Sequence, residues 1–184
     1  MTTGERHEGE VRSDEALVDA VNRGDAAAFG ALYERHRDWV VGIAQRFGAD
    51  HELALDVLQE TFLTLLDRFP GFRLTAALRT FLYPVAKHHT LAAHRKGRRA
   101  RALGDHDGPA PILFRAEADD PLRLAMDALG PDHREILLLR YADDLALADI
   151  AAALDLPVGT VKSRLHHAVR QLREDDRTKN LLDS

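Results

Sequence analysis

Apolar residues recur along this chain at three- and four-residue intervals, and no stretch alternates with period two. Leu17, Val18, Val21, Phe29, Leu32 and Tyr33 follow the helical spacing but are interrupted at Asn22-Arg23-Gly24-Asp25. The pattern therefore predicts a helix, a turn in which Asp25 is the N-cap, and a second helix through about Gly48. Residues 51–69 (HELALDVLQETFLTLLDRF) place Ala54, Leu58, Thr61, Phe62, Leu65 and Phe69 on one stripe, and Pro70-Gly71 stops the run. A further helix is predicted over about 75–96, with Pro84 inside it, where a missing backbone N–H favours a kink.

The texture then changes. GRRARALGDHDGPAPILFRAEADDP holds three glycines, three prolines and mixed charge without a sustained period, the signature of a linker. Beyond it, Leu122, Ala125, Met126 and Leu129 predict a short helix ended by Gly130-Pro131. DHREILLLRY starts with Asp132, and Glu135 follows at capping-box spacing. Leu147–Leu154 is a short helix, and Asp155-Leu156-Pro157 turns the chain into a last one. The expected architecture is all-α: two small helical domains joined by a linker. Residues 1–13 form a mobile tail, 14–97 an N-terminal domain, 98–121 the linker, 122–174 a C-terminal helix-turn-helix domain, and 175–184 a second mobile tail.

That last helix decides which classes of partner to consider. Wound at 100° per residue, Val158, Val161, Leu165, Ala168, Val169 and Leu172 gather on one side. Gly159, Ser163, His166, His167 and Arg170 lie roughly opposite, flanked by Lys162 and Arg164. An aliphatic back with a front of donors, following a short helix and a tight turn, is the arrangement of a helix-turn-helix. In that motif the second helix enters the major groove and its cations touch phosphates. Ala151 and Ala152 suit close packing of the two helices, and Asp155 suits a left-handed turn position.

Charge supports this. The chain carries net −5, yet residues 79–104 hold seven Lys or Arg and no acid, and residues 160–173 hold four more. Setting those eleven aside leaves −16 on the rest, so two basic footprints for a polyanion sit on an otherwise acidic molecule. A composition of 45% hydrophobic and 30% charged residues is that of a folded globular chain. With no cysteine there are no disulfides and no thiolate metal sites. No apolar run reaches the roughly 18 to 20 residues of a membrane span, and the charged N-terminus lacks a signal-peptide core, so a cytoplasmic location is expected.

ALGPDHREILLLRYADDLALADIAAALDLPVGTVKSRLHHAVRQLRE closely resembles the C-terminal promoter-binding domain of bacterial extracytoplasmic-function sigma factors. LALDVLQETFLTLLDRFPGF followed by LRTFLYPVAKHHTLAAHRKGRR resembles their N-terminal domain, and the two matches cover about residues 14–174. The resemblance implies an alternative sigma factor, with no catalytic chemistry and no cofactor. Its partners would be core RNA polymerase, double-stranded promoter DNA and the melted non-template strand. The family also implies an anti-sigma factor holding the two domains closed.

Residue by residue, the resemblance gives Asp56, Gln59 and Glu60 a polymerase-docking role, and Leu63 lies with them off the buried stripe. Lys162, Ser163, Arg164 and His167 match upstream-element positions, with His166 beside them and Arg170 a phosphate contact one turn later. Phe72 and Arg73 match the loop that, in the family, helps hold a flipped non-template base of the minus-ten element. Lys87, His88, Arg95, Lys96, Arg98 and Arg99 line the adjoining strand path. Phe81 stands where tryptophan is usual, His88 where asparagine is common, and Pro84 where arginine is typical; these departures bear on promoter preference rather than on fold.

Other classes explain less. A helix-turn-helix regulator with a helical sensor domain accounts for residues 162–170 but not for the second basic segment. The histidine pairs 88–89 and 166–167 each project 100° apart and lack carboxylates at ligand spacing, which disfavours a metal site. No phosphate-binding glycine loop or nucleophile motif supports an enzyme.

Overall fold

The computed structural model describes residues 12–100 and 121–178, the side chains of residues 98–100 excepted. Among the described residues eight α-helices run in order: α1 (Asp14–Asn22), α2 (Ala26–Arg46), α3 (His51–Leu66), α4 (Leu78–Ala100), α5 (Pro121–Ala128), α6 (Pro131–Leu137), α7 (Leu147–Leu154) and α8 (Val158–Glu174). A π-helical turn, Leu138–Ala142, extends α6. No strand occurs among the described residues. Most of the expected linker and tails lies outside them.

The first three helices start as their caps dictate. Ser13, Asp25 and Asp50 each accept a hydrogen bond from the backbone N–H three residues on, at 3.3, 3.1 and 2.9 Å. Such caps are worth ~1 kcal/mol apiece. Gly24 and Gly48, at φ of +91° and +86°, supply the left-handed residue that ends α1 and α2. Polar contacts also lock α1 on α2. Asp14 accepts from Arg35 Nη1 at 2.6 Å and pairs with His36 Nε2 at 2.9 Å. Burial alone would raise the Asp14 carboxyl, but its bonds to His36 and Arg35 and their charge hold it below the usual range.

Helices α1 to α4 enclose Leu17, Leu32, Val40, Ile43, Leu65, Leu78 and Leu82, all essentially inaccessible to solvent. Each such side chain contributes roughly 1.5–3 kcal/mol. Thr61 and Thr90 sit in the same interior and satisfy their hydroxyls on the carbonyls of Val57 and Ala86, one turn back. Pro84 lies within α4, which runs unbroken from Leu78 to Ala100. In the C-terminal group, Ile136, Leu139, Ile150, Val161 and Ala168 are buried between α6, α7 and α8.

Three details differ from the sequence reading. No capping box opens α6: Gly130 is its N-cap, Pro131 occupies the first turn, and the Glu135 side chain points to another element. Ala153, not Ala152, buries alongside Ala151, because α7 begins at Leu147 and that phase turns Ala152 outward. Val158 is 40% exposed, being the first residue of α8 and beyond the reach of the core.

The two helical groups meet through α4 and α7, and buried carboxylates dominate the junction. Asp143, just past the π turn, is almost inaccessible and accepts from Trp39 Nε1 at 2.8 Å and from Arg46 Nη2 at 2.8 Å, with Arg46 Nη1 on its other oxygen. Arg79 Nη1 reaches the Asp143 carbonyl at 3.1 Å, and its guanidinium lies 5.1 Å from the Trp39 ring centre. Glu135 Oε1 accepts from both Tyr83 Oη and Lys87 Nζ at 2.5 Å. Burial pushes the Tyr83 phenol well above its ordinary value, and the adjacent Glu135 carboxylate adds to the rise. Tyr83 therefore stays a neutral donor.

Candidate nucleic-acid interface

Helix α8 is positioned by the turn before it. Asp155 adopts the left-handed conformation (φ 53°, ψ 49°) at the end of α7, and its N–H and that of Leu156 close on Ala152 and Ala151. Thr160 and Val161 N–H groups bond the Pro157 carbonyl, so Pro157 caps α8, which starts at Val158. Val161 and Ala168 then bury, Leu165, Val169 and Leu172 half-bury, and Lys162, Ser163, His166, His167 and Arg170 remain exposed. The donor face foreseen from the sequence is thus solvent-facing along three turns.

Its members are not equally free. Lys162 and Ser163 form no ion pair or side-chain hydrogen bond among the described residues. Arg164 is held by Asp132 at 2.8 Å, across from α6. Arg170 Nη2 lies 3.2 Å from His167 Nδ1, and its Nε lies 3.9 Å from Glu174, both in exposed settings where such contacts are weak. His133 brings its ring within 6.5 Å of the His167 ring. Asp132 and His133 therefore border the donor face of α8, which the sequence did not reveal. Spacing within α8 carries no sign of a neighbour from α6.

The second footprint surrounds the α3–α4 connection. Phe72 is half-buried, its ring edge-on to Phe69 (5.6 Å between centres) and to Phe81 (5.1 Å). Arg73 beside it is exposed, and Arg68 sits 5.7 Å from the Phe81 ring centre. Along α4, His88, Arg95 and Lys96 are exposed. Arg98 and Arg99 belong to the end of α4, but their side chains lie outside the described residues. Lys87 differs. Its ammonium is paired with Glu135 and lies 5.3 Å from the Phe47 ring centre, so in this arrangement it is not available to a nucleic-acid strand.

The remaining histidines of α4 have structural partners. His94 Nε2 lies 2.9 Å from the Phe47 carbonyl, and His89 Nε2 3.1 Å from Thr64 Oγ1. Burial lowers the His89 imidazole; Glu60 pulls it up and His88 pushes it down again. No cluster of three or more metal-ligating side chains occurs among the described residues. Nor is any described helix long and apolar enough to cross a membrane.

A third surface lies on α3. Asp56, Gln59 and Glu60 are exposed, and Leu55, Leu63 and Leu66 are each more than 40% exposed beside them. These leucines border a groove floored by Phe29, Tyr33, Leu58 and Phe62. Three large aliphatic side chains thus stand in water beside acidic ones, a patch of the kind that sets an interaction surface apart from a core face.

Comparison with known proteins places both helical groups in one family. The family model for sigma-70 region 2 matches residues 32–100, and that for sigma-70 region 4 matches residues 119–172. The RNA polymerase sigma-H factor of Pseudomonas aeruginosa is 33% identical over 175 residues, covering 84% of this chain and 89% of that protein. The ECF RNA polymerase sigma-E factor of Escherichia coli K12 is 30% identical over 176 residues, covering 85% and 90%. Among solved structures, CnrH in complex with the cytosolic domain of CnrY shares the fold with a TM-score of 0.65 and 23% identity, over 94% of this chain and 98% of that one. The sigma factor RpoE of Bartonella quintana, in complex with the anti-sigma factor NepR, gives 0.57 and 21%, over 79% and 94%.

Proposed function

Because this chain belongs to the extracytoplasmic-function sigma factors of bacterial RNA polymerase, we propose that its three exposed surfaces divide the work of promoter selection. The protein is an alternative sigma factor that directs promoter-specific transcription initiation. It acts beside the polymerase in the cytoplasm and contributes no bond-making chemistry of its own.

Helix α8 reads the upstream element: Lys162 and Ser163 reach base edges, Arg164, His166 and His167 border them, and Arg170 fixes the register on phosphate. The loop carrying Phe72 and Arg73, with His88, Arg95, Lys96, Arg98 and Arg99, takes the melted non-template strand. Lys87 joins that path once Glu135 releases it. Asp56, Gln59, Glu60 and Leu63 dock on the polymerase core, and an anti-sigma factor competes for the exposed faces. In chain order, residues 14–97 act as the docking and melting domain and 122–174 as the upstream-reading domain. The observation that carries this reading is the left-handed turn at Asp155, which presents the unpaired Lys162 and Ser163 on the open face of α8.

Docking gives the direct test. Charge reversal at Asp56 and Glu60 together (Asp56→Lys, Glu60→Lys) should lower affinity for core polymerase by about a hundredfold or more, since charge complementarity turns into repulsion. Binding of the same variant to upstream duplex should be unchanged. Co-purification with core enzyme checks the first statement and a duplex titration the second. Wild-type recovery of polymerase by the variant would remove α3 from the interface.

A further inference from the structure

We infer that Asn22, at the end of α1, is a positioning residue for the promoter-melting loop. It holds the Gly71–Phe72 backbone in the shape that presents Phe72 and Arg73 to the displaced strand. This rests on the assignment of that loop to the melted minus-ten element, made above.

The geometry is a two-point clamp. Gly71 N–H donates to Asn22 Oδ1 at 2.6 Å, and Asn22 Nδ2 donates to the Phe72 carbonyl at 2.8 Å, from 49 and 50 residues away in sequence. One carboxamide thus satisfies a donor and an acceptor on successive loop residues. Its orientation is fixed, because a flipped amide would set oxygen against carbonyl and N–H against N–H. Both side-chain hydrogen bonds from Gly71 and Phe72 to another element, among the described residues, end on Asn22.

The clamp stands on rigid ground. Arg23, Gly24 and Asp25 N–H groups close on Ala20, Val21 and Ala20 carbonyls at 3.0, 2.8 and 3.0 Å, and Asp25 caps α2 immediately after. Opposite it, residues 69–77 are neither helix nor strand, so no regular backbone ladder fixes their shape. Gly71 sits at φ +108°, a conformation that L residues resist. A Cβ built there meets nothing within 4 Å, so an alanine would alter backbone preference without a clash. Beneath the loop, Phe69 and Phe81 hold the Phe72 ring. Ring packing fixes one side of Phe72, and Asn22 fixes its peptide.

The consequence is selective. Upstream duplex reading by α8 and polymerase docking by α3 do not pass through this clamp, whereas discrimination among bases of the melted strand does. The experiment uses full-length protein, core polymerase and promoters differing only at the minus-ten bases, in run-off transcription. Asn22→Leu, isosteric and without either hydrogen bond, should reduce discrimination between the best and worst minus-ten bases by roughly tenfold, the scale of two ordinary hydrogen bonds. Asn22→Asp keeps the acceptor for Gly71 N–H and loses the donor to Phe72, so it should fall between. Gly71→Ala should reproduce the loss without touching Asn22. Polymerase affinity and upstream-duplex affinity should stay at wild-type values, which also certifies that each variant is folded.

If wild-type protein discriminates at minus ten and Asn22→Leu discriminates equally well, the inference is wrong. Equal loss on every promoter would be a stability effect and would overturn it too. If wild-type protein shows no minus-ten preference at all, the loop assignment itself fails, and the two failures are told apart.

Discussion

Neutralising Glu135 and Asp143 together (Glu135→Gln, Asp143→Asn) is expected to open the molecule. Each carboxylate belongs to the C-terminal group of helices, and each finds its side-chain partners across the junction: Tyr83 and Lys87 for Glu135, Trp39 and Arg46 for Asp143. Lys87 and Arg46, the cations left behind, are 29% and 21% exposed and stay partly hydrated, so each neutralisation costs ~1.5–3 kcal/mol, the scale of a charge-assisted hydrogen bond. Taken at both sites, even the lower figure shifts the closed-to-open ratio by about a hundredfold. Small-angle scattering should record an increase in radius of gyration. Single-stranded minus-ten DNA should bind more tightly, because Lys87 is no longer occupied. An unchanged scattering profile together with unchanged strand affinity would show that these carboxylates do not hold the halves together.

The second large effect separates two cations on α8. Lys162→Ala should erase most of the preference at one or two upstream positions, a loss of ~1–3 kcal/mol against the wrong base. Arg170→Ala should weaken every sequence alike and reduce the slope of log affinity against log salt by about 0.9. The exposed contacts of Arg170 with His167 and Glu174 are too weak to withhold it from phosphate. Titrating both variants against a panel of upstream duplexes at several salt concentrations distinguishes the patterns. Identical patterns would mean that α8 does not enter the groove with Lys162 foremost.

Much of this architecture is written in the sequence. The cap at Asp25, the buried stripe of α3 and the left-handed turn at Asp155 follow from local rules, which act within one turn of helix. The exposed face of α8 followed from the same periodicity. What stayed hidden is pairing between distant polar groups. Glu135 has capping-box spacing from Asp132, so sequence placed it on its own helix, while the fold spends it on Tyr83, 52 residues earlier. Asn22 looked like an ordinary turn residue because its partners lie near position 71. Lys87 read as a free member of a basic run for the same reason. Periodicity tells which face of a helix is covered and is silent on which side chain does the covering.

The most direct test of the account is run-off transcription by purified core polymerase on a promoter library, with and without this protein, at low ionic strength and free of any inhibitor. Discrete start sites should appear only when the protein is added. The selected promoters should share one upstream and one downstream element, and Lys162→Ala should degrade only the first. Transcripts that are scattered and indifferent to the added protein would contradict it.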